Sequence, residues 1–182
     1  MLTARLEVRL PNESDRGRFV ELFCDEEFMV FSSGVLAPDA AHRRFDEMLA
    51  RGAELPFAKQ PVIERSTGTL LGYAGVDWFV FEGRRRLEFG YRLVPEGRGL
   101  GYATEAGRAV LARAAETYRG DIFALIDPTN HASQNVAGKL GFTFWKQAVV
   151  AGYLDNVYRQ RIDGNQLGPD RLSMGHSTGT SW

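Results

Sequence analysis

Cysteine is nearly absent: the 182-residue chain carries one, Cys24, which excludes an intramolecular disulfide framework. Histidine is scarce as well, and His42, His131 and His176 match no zinc-ligand spacing with that cysteine. No metal is expected. Lysine is limited to Lys59, Lys139 and Lys146, so arginine supplies most of the 22 basic residues. Neither sign of charge is in surplus, since 22 Lys plus Arg stand against 23 Asp plus Glu for a net charge of −1. Nucleic acid and anionic membrane surfaces need a basic surplus or stripe, so neither is an expected partner. No apolar run approaches the ~18 residues of a membrane helix. Leu6, Val8 and Leu10 alternate with Glu7 and Arg9, which reads as a strand rather than a secretory leader. The expected address is the cytoplasm.

What is there suits a globular domain: 44% of residues are hydrophobic and 25% charged. The length is enough for one domain with a real core. From Gly164 the composition turns to Gly, Ser, Thr, Pro and Asp. Residues 1–163 are therefore expected to form the domain and 164–182 a loosely ordered tail, with Leu172, Met174 and Trp182 able to dock.

Along the chain, Asn12 or Ser14 is placed to cap a helix carrying Phe19, Val20, Leu22 and Phe23. A second helix starts at Pro38-Asp39 and ends near Gly52. Phe57–Arg65 and Leu70–Phe81 read as strands, and Glu82-Gly83-Arg84 turns the chain into Leu87–Val94. A helix follows, with Ala103, Ala106, Val110, Leu111, Ala114 and Tyr118 on one face and Gly120 as its stop. Asp121–Ile126 is a short strand, parallel to the previous one by the crossover rule. A short helix, Ala132–Leu140, closes at Gly141, and Phe142–Val150 and Leu154–Ile162 form a closing pair of strands. This mixed order of hairpins around one strand–helix–strand crossover is α+β.

The richest chemical signal is the strand–loop–helix junction holding Gly97, Gly99 and Gly101. Glycines there permit positive φ and remove the Cβ that would block a ligand. The first helical N–H groups lack intrahelical partners and carry partial positive charge. With Arg98 they make a cradle for phosphate. The dinucleotide fingerprint fails, because the third glycine position is Thr104, and no Gly-Lys-Ser/Thr occurs for a nucleotide-triphosphate loop.

Arg98-Gly99-Leu100-Gly101-Tyr102-Ala103 resembles the Arg/Gln-x-x-Gly-x-Gly/Ala loop of the GNAT N-acetyltransferase superfamily. Gly90–Glu96 and Gly101–Ala106 resemble its ribosomal-protein N-terminal acetyltransferase branch, the RimJ/RimL type. Asn130-His131-Ala132-Ser133 and Lys139-Leu140-Gly141-Phe142 match a second pattern of that branch. The resemblance covers roughly residues 3 to 162. It implies a mostly antiparallel twisted sheet of about seven strands flanked by about four helices. It implies acetyl-CoA as co-substrate and direct attack of an acceptor amine on the thioester. The acceptor is a protein N-terminal α-amine or a small-molecule amine, and the assembly a monomer or homodimer.

The resemblance also assigns roles. Backbone groups of Tyr91, Leu93 and Val94 pair with the pantetheine arm, and Arg98, Gly99, Leu100, Gly101, Tyr102, Ala103 and Thr104 hold the pyrophosphate. Asn130 bonds a pantetheine amide. Ser133 contacts the sulfur and serves as acid, or caps a helix, or both. Glu88 is the candidate base, directly or through water, and an ion pair with one of Arg84–Arg86 is the competing role. His131 also suits the pH range of a base. Asp155 and Tyr158 are candidates for shaping the acceptor pocket. Phe28–Phe31 with Trp78, Phe79 and Phe81 either line that pocket or pack the core. A non-catalytic acyl-CoA-binding sensor or scaffold is the alternative function.

Three patterns are set aside. Gly175-His176-Ser177-Thr178-Gly179 fits a nucleophile elbow but lacks the strand and helix that one needs. Asn12-Glu13-Ser14 is a glycosylation sequon without a route to secretion. Arg84–Arg86 reads as a solvated hairpin tip.

Overall fold

The alternating segments assemble into one seven-stranded sheet, seen here in a computed structural model that describes residues 1–32 and 34–163. The tail from 164 to 182, with its docking candidates and the Gly175–Gly179 pattern, lies outside the described residues. The strands are β1 (Leu6–Val8), β2 (Gln60–Glu64), β3 (Leu70–Phe81), β4 (Arg84–Leu93), β5 (Gly120–Ile126), β6 (Thr143–Val150) and β7 (Tyr153–Ile162). Their order is β1-β2-β3-β4-β5-β7-β6, and every pairing is antiparallel except β4–β5. Four helices flank the sheet: α1 (Arg16–Phe23), α2 (Pro38–Glu54), α3 (Tyr102–Thr117) and α4 (His131–Lys139). This is the expected α+β architecture.

Local chemistry explains each start. Asn12 caps a 3₁₀ turn over Glu13–Asp15, accepting from Ser14 N at 2.9 Å while Asp15 accepts from Asn12 N at 2.9 Å. Asp15 is buried and held by two Arg9 donors at 2.7 and 2.6 Å. Pro38 opens α2, where a missing N–H costs nothing. Ala41, Phe45, Met48 and Gly52 then bury one face of that helix.

Some boundaries move. Glu82 and Gly83 both take positive φ (50° and 70°), so the hairpin turn has two residues and Arg84–Arg86 belong to β4. They pair with Phe81, Val80 and Phe79 at the end of the hairpin, where Arg84 and Arg85 are exposed as a solvated tip. β1 stops at Val8, since Leu10 is exposed and Pro11 has no N–H to give a ladder. Gly120 does not stop α3. The helix ends at Thr117 because Tyr118 is extended, and Gly120 (φ 146°) instead opens β5. Its missing Cβ leaves room for the Tyr118 ring, whose hydroxyl donates to Asp121 O at 3.0 Å.

Alternation sorts the sheet into two faces. Leu87, Phe89, Tyr91 and Leu93 of β4 point toward α3 and α4, and Glu88, Gly90 and Arg92 toward the face that carries α1 and α2. Trp78 pairs with Leu87, so it does not share a face with Phe79 and Phe81. The latter two join Phe123, Val150 and Val157 in a small second core. Phe28 and Met29 are core, while Val30 and Phe31 are exposed.

The segment Phe57–Lys59 lies directly on β3. Val76 N donates to Phe57 O at 3.0 Å, and a Cβ on Gly75 would stand 2.1 Å from Ala58 O. Gly75→Ala is therefore expected to cost about 3 kcal/mol in urea unfolding, as overpacking does. Gly17→Ala, in α1 with nothing within 4 Å, is expected to stabilise by about 0.5–1 kcal/mol. Equal effects at the two glycines would contradict the contact.

Candidate active site

The parallel ladder between β4 and β5 has two rungs, Leu87↔Ile122 and Glu88↔Phe123. β4 continues to Leu93 and β5 to Ile126 with no further pairing between them, so the sheet opens like a V. Val94 N donates to Leu71 O at 2.8 Å, on the β3 side. Because backbone groups alternate sides along a strand, Leu93 and Tyr91 turn theirs into the opening. Leu93 O there accepts from Arg98 Nε at 3.0 Å.

The opening leads to the start of α3. Gly99 (φ 74°) and Gly101 (φ 83°) turn the loop, and Gly101 caps the helix without any side-chain bond. The N–H groups of Tyr102, Ala103 and Thr104 thus begin the helix with no intrahelical acceptor. No Cβ at Gly99 would touch anything within 4 Å. An open groove of about 720 Å³ runs beside this point, lined by Thr3, Arg5, Gly101, Thr104, Arg108 and Lys139, among others. Three of those side chains are cationic.

One acid sits close by, and a residue that motif reading missed neutralises it. Arg5 pairs with Glu105 at 2.8 Å and donates to Leu100 O at 2.9 Å. Burial raises the Glu105 pKa, but bonds from Thr3 and Arg5 outweigh it and hold the carboxyl below its usual range. Arg98 is largely occupied, donating also to Glu27 O at 2.8 Å, so it braces the loop against the α1–α2 connection. Tyr102 turns its hydroxyl to Glu64 at 2.6 Å. Val94 is buried and Leu100 exposed.

On the α4 side of the opening, the Tyr91 hydroxyl lies 3.0 Å from Ser133 Oγ. Asn130, not Ser133, caps α4, accepting from Ser133 N at 3.0 Å. Ser133 is the third helical residue, and its hydroxyl is free to face Tyr91. Burial pushes the Tyr91 phenol above its ordinary pKa, and the Ser133 bond offsets part of that. The phenol is thus a proton donor at neutral pH. Tyr158 shares this side, donating to Gln134 at 3.4 Å. His131 is exposed.

Glu88 occupies the opposite face at the last rung. Its cross-strand neighbour is Asp77 and its cation is Lys59 at 4.0 Å, rather than an arginine of Arg84–Arg86. Lys59 carried no sequence signal, because only the crossing over Gly75 brings it there. Register places Asp155 on this same face, two residues before Val157, which pairs with Leu125. Burial first, then the charges of Glu88 and Asp127, push the Asp155 carboxyl up to about 6.

A pKa raised above the unfolded value means that the native state holds the proton more tightly. Ionised Asp155 therefore destabilises the fold above about pH 6, and the effect disappears below about pH 4. Asp155→Asn is expected to raise the melting temperature at pH 8 and to leave it nearly unchanged at pH 3.5. A shift of equal size at both pH values would contradict this.

The model of the acetyltransferase (GNAT) domain family matches residues 5–143. The protein YkkB of Bacillus subtilis (strain 168), itself uncharacterized, is 33% identical over 153 residues, 80% of this chain and 86% of that protein. The acetyltransferase of Agrobacterium tumefaciens strain C58 shares the fold with a TM-score of 0.76 at 23% identity, covering 88% of this chain and 93% of the other. RimL, a ribosomal L7/L12 α-N-protein acetyltransferase solved with CoA, superposes with a TM-score of 0.75 at 17% identity, covering 91% and 98% of the two chains. The V-shaped opening, the uncapped glycine loop and the family match together make this chain a member of the GNAT acetyltransferase family.

Proposed function

We propose that this protein transfers the acetyl group of acetyl-CoA to a primary amine by direct attack on the thioester. The observation that carries the reading is the parting of β4 and β5 after two rungs, which joins three features. Behind it lies the uncapped start of α3, on one face the Tyr91–Ser133 pair, and on the other Glu88.

The groove fits the donor. Free N–H groups at Tyr102, Ala103 and Thr104, with Arg108 and Lys139 nearby, suit a pyrophosphate. Backbone groups of Tyr91 and the N–H of Leu93, lacking a strand partner, suit the amides of pantetheine and polarise the carbonyl. Asn130 keeps its amide NH₂ for the same arm, since its oxygen is used by the cap. Acetyl-CoA supplies the activated carbonyl; the protein moves protons around it. Glu88, directly or through water, takes a proton from the incoming ammonium. The departing sulfur meets the Tyr91–Ser133 pair, whose buried phenol holds a proton to give. These groups on both faces favour catalysis over a sensor or scaffold role. Residues 1–163 are proposed to suffice as the domain, and the cytoplasm as its place.

Acetyl-CoA at about 100 times its dissociation constant is expected to raise the melting temperature by roughly 5–10 °C, with CoA similar and NADH and ATP inert. Gly101→Val forces a β-branched residue to φ 83° and is expected to abolish that shift. An unchanged shift would remove the cradle assignment. Tyr91→Phe combined with Ser133→Ala is expected to lower kcat about 100-fold while keeping the acetyl-CoA shift. Unaltered turnover would show the pair to be structural.

A further inference from the structure

A cavity of about 330 Å³ lies between α2 and β3, on the same sheet face as Glu88. Phe23, Met48, Tyr73 and Trp78 form the apolar part of its lining, and Arg44, Glu47, Arg51, Lys59 and Asp77 the charged part. Two residues connect it to the reaction site. Lys59 lines it and reaches Glu88 at 4.0 Å, and Asp77 lines it and is the cross-strand neighbour of Glu88. Between them the Ala58–Lys59 backbone covers Gly75, and its cross-strand partner Gly90 carries no side chain. A Cβ on Gly90 would stand 3.3 Å from Glu88 Oε1 and 3.8 Å from Lys59 Cε. The glycine keeps open the space that these two side chains border.

The charges around the cavity are unequally committed. Arg51 pairs with Asp77 at 3.0 Å and Glu54 at 2.7 Å, and Arg44 pairs with Glu47 at 3.0 Å. The Lys59–Glu88 separation of 4.0 Å is longer than a charge-assisted hydrogen bond. A bare alkylammonium approaching Glu88 therefore meets the like charge of Lys59. A carboxylate on the same carbon as the amine turns that repulsion into attraction. We propose that the acceptor is a free α-amino acid with a large apolar side chain, read as a zwitterion by Glu88 and Lys59. Its side chain occupies the cavity formed by Phe23, Met48 and Tyr73.

The proposal rests on the acetyltransferase reading and narrows it. The cavity is at the lower end of small-molecule sites, matching a single amino acid. A polypeptide N-terminus lacks the adjacent carboxylate. In the reaction the amine nitrogen forms a bond to the thioester carbon, and the C–S electron pair leaves with sulfur. Of the two protons that the ammonium gives up, one ends on the CoA thiol and one passes to solvent. The products are an N-acetyl amino acid and CoA.

The test uses the full chain with acetyl-CoA, reading thiol release and, in parallel, the acetyl-CoA melting shift. The acceptors are phenylalanine, methionine and leucine as free acids, their amides, phenethylamine and a short peptide with an N-terminal methionine. The free acids are expected to exceed the amides, the amine and the peptide in kcat/KM by about ten-fold or more. Lys59→Met is expected to collapse the acid-to-amide ratio through KM, and Lys59→Arg to preserve it. Amides, amine or peptide used as well as the acids, with the melting shift intact, would overturn the amino-acid proposal and leave acetyl transfer standing. Absence of both the shift and turnover would overturn the two together.

Discussion

Two rungs of parallel ladder between β4 and β5 set the geometry on which the rest of the site depends. Each strand is fully paired on its other edge, β4 with β3 and β5 with β7, so the opening is bounded by rigid walls. Phe89 stacks on Phe142 at 5.9 Å and Tyr91 reaches Ser133, so α4 and the start of β6 fill the α3 side of the V. Backbone groups left without a strand partner cost free energy when they are shielded from water, on the order of 1–3 kcal/mol each. A ligand with amides along its length relieves that cost.

Charge is arranged to serve the same opening. At its outer end Arg5 compensates Glu105, so the N-terminus of α3 faces the groove without a free acid beside it. At its centre Arg98 ties Leu93 O to Glu27 O, joining the glycine loop to the connection between α1 and α2. On the Glu88 face, burial first and then the charges of Glu88 and Asp127 raise the Asp155 carboxyl to about 6. The start of α3 thus suits an anion, while Glu88 and Asp155 gather negative charge on the opposite sheet face.

Much of this was legible in local pattern. The glycine loop announced its positive φ and its open approach, because only glycine does both without strain. Ser133 stood as the cap of a helix that Gly141 closes, but the structure gives that cap to Asn130, three residues earlier. Glu88 was legible as the acid on the strand that leads into Gly90-Tyr91. Arg5 and Lys59 were not legible as site residues. Arg5 meets Glu105 across 100 positions of sequence, and Lys59 meets Glu88 only because Gly75 lets a loop rest on β3. Asp155 was visible as a polar residue on the closing hairpin, but its environment was not.

Short-range stereochemistry decided the elements: capping at Asn12, the proline start of α2, the long apolar and aromatic run of β3 and the glycine turn before α3. These depend on neighbours within a few residues, so they can be read without the fold. Long-range pairing decided the rest. That β7 inserts between β5 and β6, that β4 and β5 part after two rungs, and that Lys59 crosses to Glu88 depend on contacts between distant segments. Such contacts follow from how whole faces bury against one another, which no local window of sequence contains.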